Sequence, residues 1–572
     1  MLLLILPGFR CIPCIRQALP GVLTYFCIHR IWHDMKGSID LFSKECDFFF
    51  YSQGGKERSG QMACCLNLEE YQDKVLGCWT GKSVGGTLGA PFEGSREMND
   101  IVFYTQEFPD GAPPNDDLDL QLVWLQAVEE HGVFAVTPRL LGEYWMRFVT
   151  GPWNEYAVCK ANIRRGFHPP LSGACNNERW KWSNGAWIRS EIWACLFPGN
   201  PDMAAFYASL DASADHCGEG VYAEMFTASL ESAAFVEPDI RRLIEIALSK
   251  IPGGSRIERA VRIACEGYDA GRSLRSVREA VVKDSEDLGF FQAPANLGFV
   301  TAGLLYGEGD FGKTLCSAVN CGDDTDCTGA TCGSIMGILL GRRAMPEKWT
   351  APLGERIQTV AVNPFPGNLN LPRTLGDLTR RTVNAALEAR RRDPRLLAIS
   401  AGQPSTLDSG FSASLSGGEF LESRVWKRPV YYQEYPVFGG SLLVEYRDSP
   451  LCSPGEGCRL IIRSAGMPYD SSIMTLRWDP PSGWAVFPGK EFSIRTFQGA
   501  AECTLVPGSF DSAFVYLPLH VTISGRMEPV TLNIPFQLKD AVFHDIAPAF
   551  HEYHDALERL RARQAFQENS SS

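Results

Sequence analysis

The sequence has no uninterrupted apolar run of the roughly 18 residues that a membrane-spanning helix needs. It also has no excess of basic residues, because 54 Lys and Arg stand against 67 Asp and Glu, for a net charge of −13. We therefore expect neither a membrane nor a nucleic acid as partner, since phosphates bind to basic surfaces. A nucleotide-like ligand in a local pocket stays compatible with this composition.

The 19 cysteines form no repeating framework. Cys11 and Cys14 make one CxxC, but no second pair stands at the spacing of a zinc ribbon. An odd number of thiols, several of them inside apolar segments, is typical of reduced and buried cysteines. We therefore expect a cytoplasmic protein.

The first residues, MLLLILPGF, have no basic segment before them, and Arg10 interrupts the apolar run. This pattern disfavours a signal peptide. We expect residues 1–61 to be an N-terminal extension outside any domain, because a more regular pattern begins at Met62.

A chain of 572 residues exceeds one compact core, so two or three domains are expected. Residues 62–390 show helical periodicity without a convincing strand, which predicts an all-α domain. Residues 391–425, rich in Ser, Gly and Pro, indicate a linker. Residues 426–540 alternate apolar and polar positions in seven or more short runs, which predicts a β-sandwich. Residues 541–572 are expected to form a C-terminal helix and a disordered tail.

Two acidic segments, 115–119 and 323–326, lie about 200 residues apart, and each opens an apolar run. So many carboxylates repel one another unless they are solvated or a hard cation holds them. For either segment alone, a helix cap with acids in the first turn is an equally good interpretation. Together they predict two sides of one oxygen-lined metal site. Asp117 would face about 100° away from Asp116, so some ligands must come from an irregular first turn.

Glycines are dense in GKSVGGTLGAPFEG, which ends near Glu93, and they recur every fourth residue from Gly329 to Gly341. The first segment lacks the spacing of a Walker phosphate-binding loop. Glu93 is a candidate ligand-facing acid, with a solvated loop residue as the alternative. The second segment predicts close helix packing inside a domain.

These motifs resemble those of the ADP-ribosylglycohydrolase family over residues 68–385. GGTLGAPFE is similar to the family's GDxLGxxxE, NDDLD to its TDD, SNGAWIR to its NGxxMR and GDDTDCTGA to its GGDTDTxAA. The four motifs occur in the expected order. The resemblance implies an all-α catalytic domain with a two-metal centre that holds two Mg²⁺ ions, or Mn²⁺ in their place.

The resemblance also assigns roles to individual residues. The metal ligands it implies are Asn115, Asp116, Asp117, Asp324, Asp326 and Thr328. The catalytic residues it implies are Glu93 and Asp117. The substrate-binding residues it implies are Gly89, Asn184, Gly185, Arg189 and His216.

Three positions depart from the family's pattern. Gly86 stands where the family has Asp, and Asn115 and Cys327 stand where it has Thr. An amide oxygen is still a hard donor. A neutral thiol is a poor Mg²⁺ ligand, so Thr328 is expected to replace it.

The resemblance implies a metal-dependent hydrolase that cleaves the glycosidic bond at the anomeric ribose carbon of ADP-ribosyl conjugates. The ions would hold the ribose hydroxyls and orient a water molecule. An ADP-ribosylated protein is an expected partner, and oligomers could form through the β-domain or the C-terminal helix. Two alternatives stay open: a hydrolase of a free nucleoside or small ribosyl metabolite, and a non-catalytic, crystallin-like relative.

Overall fold

The computed structural model describes residues 64–151, 153–363, 369–467, 472–526 and 528–541. The expected N-terminal extension and almost all of the expected C-terminal helix lie outside these residues. Among the described residues, no helix combines the length and the apolarity that crossing a bilayer requires.

Helices dominate the chain from Leu68 to Arg392. They are α1 (Leu68–Gly89), α2 (Asp116–His131), α3 (Pro138–Phe148), α4 (Asn154–Arg164), α5 (Leu171–Ala174), α6 (Glu191–Leu196), α7 (Pro201–Ala212), α8 (Glu219–Ala234), α9 (Ile240–Leu248), α10 (Arg256–Asp269), α11 (Leu274–Asp284), α12 (Ala293–Gly307), α13 (Phe311–Val319), α14 (Thr325–Leu340), α15 (Glu347–Thr350) and α16 (Leu375–Arg392).

Local sequence explains where the principal helices start and stop. The Asn67 side chain accepts a hydrogen bond from the Glu70 N–H and caps α1. The Asn115 side chain caps α2 in the same way, through the Asp117 N–H. Gly132 directly follows α2 and Gly341 directly follows α14, and both have positive φ, a conformation that favours glycine.

Helices α1 and α14 pack antiparallel with their backbones in contact. A Cβ atom added to Gly81 would lie 1.9 Å from the Gly333 carbonyl oxygen, so no side chain fits there. The same close approach recurs every four residues, at Gly77 with Gly337, at Gly85 with Gly329 and at Gly89 with Thr325. This packing places the start of α14 beside the end of α1.

The segment expected as a linker is folded onto the helical body. Strand β1 (Cys65–Asn67) pairs in parallel with β2 (Ala398–Ser400), and the short helices α17 (Ser409–Ser414) and α18 (Glu419–Arg424) follow. Apolar side chains of this segment, Leu396, Leu397, Leu415 and Leu421, are buried in the core of the helical body. Composition alone suggested a linker, but these leucines bury enough apolar surface to hold the segment in place.

Two five-stranded sheets make up the rest of the described chain. Their strands are β3 (Tyr432–Val437), β4 (Gly440–Tyr446), β5 (Leu451–Cys452), β6 (Cys458–Ala465), β7 (Ile473–Trp478), β8 (Ala485–Phe487), β9 (Glu491–Arg495), β10 (Ala500–Val506), β11 (Phe514–Ile523) and β12 (Val530–Leu538). The strand orders of the two sheets are β3-β4-β6-β10-β8 and β5-β12-β11-β7-β9. Buried side chains of both sheets, such as Leu442 and Leu517, belong to one apolar cluster.

The sheets are attached to the helical body near α4 and α5. Phe167 and Leu171 join the apolar cluster of the sheets. The Asn176 and Gln537 side chains exchange two hydrogen bonds of 2.8 Å, and the Tyr516 hydroxyl donates to the Arg165 carbonyl oxygen at 2.9 Å. One end of α4 therefore faces the sheets, while its other end carries Tyr156.

Candidate metal centre

Three helix ends meet where the acidic segments lie. The end of α1 continues through a short 3₁₀ turn, Ala90–Phe92, to Glu93. The antiparallel packing of α1 and α14 brings Asp324 and Asp326 to the same place, and the start of α2 completes it. The Asn115 amide joins the two acidic segments directly, because its Nδ2 donates to Asp326 Oδ2 at 3.1 Å.

Two groups of possible ligand atoms lie in this cluster, and the atoms of each group are within 4.8 Å of one another. The first, which we call the oxygen group, consists of Glu93, Asp324 and Asp326. The second, the thiol group, consists of Asp117, Asp326 and Cys327. Asp326 belongs to both groups, so the two groups are contiguous.

Three buried carboxylate oxygens in these groups have no hydrogen-bond partner in the described part of the chain: Asp117 Oδ2, Asp324 Oδ1 and Asp326 Oδ1. The three side chains are only 2 to 6% exposed. A buried carboxylate without a partner is costly, whereas a divalent cation would satisfy all three oxygens at once. The residues present therefore fit a metal centre.

The electrostatics of the cluster support the same interpretation. Burial, followed by the neighbouring Asp326, raises the pKa of Asp117 and of Asp324 well above the usual range. The same two causes raise the pKa of Asp116 to about 6. Repulsion from Asp326, then burial and Asp116, raises the pKa of Glu93 to about 8. The positive helix ends of α2 and α14 offset only part of this repulsion.

Asn115 is oriented differently from a metal ligand. Its Oδ1 accepts the Asp117 N–H at 2.7 Å, and its Nδ2 faces the Asp326 carboxylate. A Cβ atom on Gly86 would lie 3.0 Å from that Nδ2. The Asn115 amide thus occupies the space beside Gly86.

Asp116 and Asp119 share a helical face but have different surroundings. The Tyr156 hydroxyl donates to Asp116 Oδ2 at 3.3 Å, which ties this half-buried carboxylate to α4. Asp119 is fully buried, and its Oδ2 accepts the N–H groups of Val360 and Ala361, both at 2.6 Å. Asp116 belongs to the cluster, whereas Asp119 anchors a neighbouring loop.

Cys327, rather than Thr328, lies among the carboxylates. Its Sγ is 3.5 Å from Asp117 Oδ1. Thr328 is one position further along α14, about 100° around the helix, and its hydroxyl donates to the Thr325 carbonyl oxygen at 3.2 Å. Thr328 as a metal ligand stays a prediction, and its hydroxyl donates within its own helix.

The Asn184–Gly185 turn contacts the cluster from another side. Asn184 Nδ2 donates to Asp324 Oδ2 at 2.7 Å, and its Oδ1 accepts the Trp187 indole N–H at 3.0 Å. A Cβ atom on Gly185 would lie 2.0 Å from Glu155 Oε1. Asn184 thus orients the Asp324 carboxylate, and the lack of a side chain at Gly185 leaves room for the Glu155 carboxylate.

Arg189 lies beneath this turn and is completely buried. Its guanidinium donates to Asp211 Oδ1 at 2.9 Å, to both carboxylate oxygens of Asp215 at 2.7 and 3.0 Å, and to the Gly185 carbonyl oxygen at 2.5 Å. It also stacks on the Trp145 ring. With its donors engaged in this way, Arg189 supports the turn from below, contrary to the expectation of direct substrate contact.

His216 and Gly89, two further predicted substrate-binding residues, are also buried. His216 Nδ1 lies 2.9 Å from Asp215 Oδ1, and its Nε2 lies 3.1 Å from the Ser183 hydroxyl. A Cβ atom on Gly89 would lie 2.0 Å from the Thr325 carbonyl oxygen. The structure places His216 behind the turn and Gly89 in the contact between α1 and α14.

Sequence reasoning did not single out three residues around the cluster, Lys82, Glu155 and Tyr156, and it gave Asp323 no role beyond membership of the acidic segment 323–326. Buried Lys82 donates to Glu191 Oε1 at 2.8 Å and to the Ile188 carbonyl oxygen. No motif spacing marks Lys82, Glu155 or Tyr156. Asp323 does carry a signal, because it stands at a family glycine and has a φ of 70°.

Asp323 connects the Glu93 loop to the cluster. Its backbone N–H donates to the Ser95 carbonyl oxygen at 2.7 Å, and its carbonyl oxygen accepts the Gly94 N–H. Its Oδ1 accepts the Phe291 N–H at 2.9 Å, and its Oδ2 lies 3.1 Å from Arg96 Nε. These contacts offset the strain of a positive φ and hold the segment that carries Glu93.

A comparison with protein families matches the helical part of the chain. A family model described as ADP-ribosylglycohydrolase matches residues 67–382, and the mostly helical region fits that fold. An uncharacterized protein from Archaeoglobus fulgidus is 24% identical over 304 residues, which cover 50% of this chain and 93% of that protein. A solved structure, described as an ADP-ribosylglycohydrolase-related protein complex, covers 57% of this chain and 99% of its own, with 20% identity and a TM-score of 0.37. The residues matched by the family model include all three helix ends of the cluster.

Proposed function

This chain belongs to the ADP-ribosylglycohydrolase family, and from that premise we propose that it is a metal-dependent hydrolase of ADP-ribosyl conjugates. The bond cleaved is the glycosidic bond at the anomeric ribose carbon. The observation that supports this most directly is the set of three buried carboxylate oxygens without a partner in the described residues.

The proposed cofactor is a pair of divalent cations. The oxygen group would hold one ion, with Mg²⁺ as the first candidate and Mn²⁺ as the second. The thiol group would hold the other, and Asp116 lies beside both groups. When bound, such ions bind vicinal ribose hydroxyls and lower the pKa of a bound water molecule.

Glu93 is the proposed proton acceptor. Its side chain is exposed at the rim, while its carboxylate reaches the buried Asp324 and Asp326. A Glu93 oxygen can therefore accept the proton of the attacking water from the open side of the cluster. Asp117 is the alternative acceptor, although it is buried. The remaining carboxylates favour the positive charge that develops on the ribose as the leaving group departs.

Residues around the cluster hold its acids in position. Asn184 fixes the Asp324 carboxylate through a hydrogen bond of 2.7 Å, and Tyr156 holds Asp116. Partners of this kind orient ligands and strengthen metal binding. Arg189 and His216 support the Asn184 turn from beneath, so they would act through Asn184.

We also propose that residues 62–390 form the catalytic domain and that residues 426–540 form a β-sandwich accessory domain. The support is that both sheets contribute to one apolar cluster and that Asn176 and Gln537 join them to the helical body. A domain attached close to the catalytic body is suited to docking the protein part of a conjugate or a second copy of the chain.

The test uses the purified full chain with ADP-ribosyl-arginine, ADP-ribosyl-serine and free nucleosides, in Mg²⁺ and after EDTA. We expect release of ADP-ribose that EDTA abolishes and Mg²⁺ or Mn²⁺ restores. Activity that persists without metal would contradict the mechanism. Turnover of nucleosides alone would favour the small-metabolite alternative, and metal binding without any turnover would favour a non-catalytic relative.

A further inference from the structure

The two groups of ligand atoms differ in chemistry. The oxygen group offers only carboxylate oxygens, whereas the thiol group combines two carboxylates with the Cys327 sulfur. We propose that the thiol group binds a thiophilic divalent ion such as Zn²⁺, while the oxygen group binds a hard ion such as Mg²⁺. This inference builds on the proposed function only in assuming that the cluster binds metal.

Position and surroundings make Cys327 available as a ligand. It lies in the first turn of α14, is only 6% exposed, and its Sγ contacts Asp117 Oδ1. Other buried thiols are turned to backbone carbonyl oxygens instead, as Cys332 Sγ is to Val300 and Cys321 Sγ is to Ser317. Cys327 is thus the thiol of this helix that faces carboxylates.

The carboxylates of the thiol group provide an independent indication of a ligand. Asp117 Oδ2 and Asp326 Oδ1 are buried and have no hydrogen-bond partner in the described chain. The Asn115 amide does not satisfy these two oxygens, because its own oxygen caps α2 and its nitrogen donates to the other Asp326 oxygen, Oδ2. The group therefore offers three protein ligands: Asp117, Asp326 and Cys327.

Three ligands of this kind suit zinc better than magnesium. Catalytic zinc sites commonly have three protein ligands and one open position, and Zn²⁺ accepts sulfur and oxygen together. Mg²⁺ requires about six oxygen ligands in near-octahedral geometry. On binding, the Cys327 S–H bond breaks, its proton passes to solvent, and the sulfur electron pair forms the bond to the metal. No electron transfer or further reactant is involved.

The experiment uses Co²⁺ as a spectroscopic probe in the full chain after removal of bound metal. We expect a near-ultraviolet thiolate-to-cobalt charge-transfer band that grows to one Co²⁺ per chain and disappears in Cys327→Thr. Cys332→Ala, a matched change on the same helix, should retain the band. Metal analysis should show that wild type keeps one Zn²⁺ in excess Mg²⁺, and that Cys327→Thr binds Zn²⁺ about 10 to 100-fold more weakly.

The inference is overturned if Co²⁺ binds to wild type without the band, or if the band survives in Cys327→Thr. Cys327→Ser serves as the second variant should Cys327→Thr fail to fold, as judged by its thermal transition in EDTA. Failure of this inference is separate from failure of the proposed function. Metal-dependent hydrolysis without the band would reject the thiol ligand alone, whereas the band without any hydrolysis would reject the hydrolase alone.

Discussion

Two of the places where the helical body buries carboxylates differ in what neutralises them. In the first, the Arg189 guanidinium lies between Asp211 and Asp215 and donates to both. In the second, the acidic cluster, Asp117 and Asp324 each keep an oxygen without a partner in the described chain. In the first place a cation of the chain neutralises the carboxylates within the fold, whereas the acidic cluster keeps oxygens that a cation from outside would satisfy.

The largest expected effect is the loss of the internal cation. Arg189→Met leaves Asp211 and Asp215 buried without the guanidinium that lies between them, so we expect a decrease in the free energy of unfolding of about 3 to 5 kcal/mol. Urea unfolding in EDTA and in excess Mg²⁺ measures it, and Arg459→Met, at an exposed ion pair, is the control. The comparison fails if excess Mg²⁺ removes the difference in the free energy of unfolding between Arg189→Met and wild type.

The acidic cluster should respond in the opposite way to added metal. At about 100 times the dissociation constant, a divalent ion should raise the free energy of unfolding of wild type by about 2.7 kcal/mol. Asp324→Ala should lose this gain and at least about 100-fold of the activity, yet should remain folded in EDTA. Thermal unfolding with and without metal measures the first effect. An equal gain in Asp324→Ala and wild type would place the ion elsewhere.

Lowering the pH tests the first of these two places, through Asp215. Burial would raise its pKa, but Arg189 and His216 outweigh burial and hold the pKa at about 2, below the usual value near 3.9 of an unfolded chain. Its contribution to stability, about 2 to 3 kcal/mol, is therefore complete above pH 4 and is lost as the pH falls through 2. Urea unfolding between pH 5 and pH 2 should show a steeper loss in wild type than in Arg189→Met. Parallel curves would contradict this account.

The smallest effect concerns Asp323, which is adjacent to Asp324 but close to a cation of the chain, Arg96. Because a cation of the chain neutralises Asp323, we assign this residue to the structure and not to the metal centre. Arg96→Gln should lower the free energy of unfolding by about 1 kcal/mol or less, because Arg96 is partly exposed, and should change metal affinity less than twofold. Calorimetric titration with Mn²⁺ measures the affinity. A tenfold loss of affinity would assign Asp323 to the metal centre.

Much of this arrangement could be predicted from the sequence. Motif order was sufficient to identify the family, and the two acidic segments are close together in the structure, joined by Asn115 and Asp326. The folding of residues 391–425 was missed, because composition does not show that four scattered leucines reach one core.

The individual roles around the cluster were harder to predict. The orientation of the Asn115 amide depends on the space at Gly86, and the choice between Cys327 and Thr328 depends on how α14 is rotated. The depth of Arg189 depends on Asp211 and Asp215, which are more than 20 residues away in sequence. Such properties arise from packing, which motif spacing does not encode.

The glycine contact between α1 and α14 has a consequence for how this centre can change. With two main chains touching, there is no layer of side chains between them whose substitution could widen or narrow the gap between Glu93 and Asp324. The backbone would therefore set the size of any ion bound between Glu93 and Asp324, and substitutions could change only the chemical nature of each ligand. A replacement such as sulfur for oxygen at position 327 is the kind of adjustment that such a rigid frame permits.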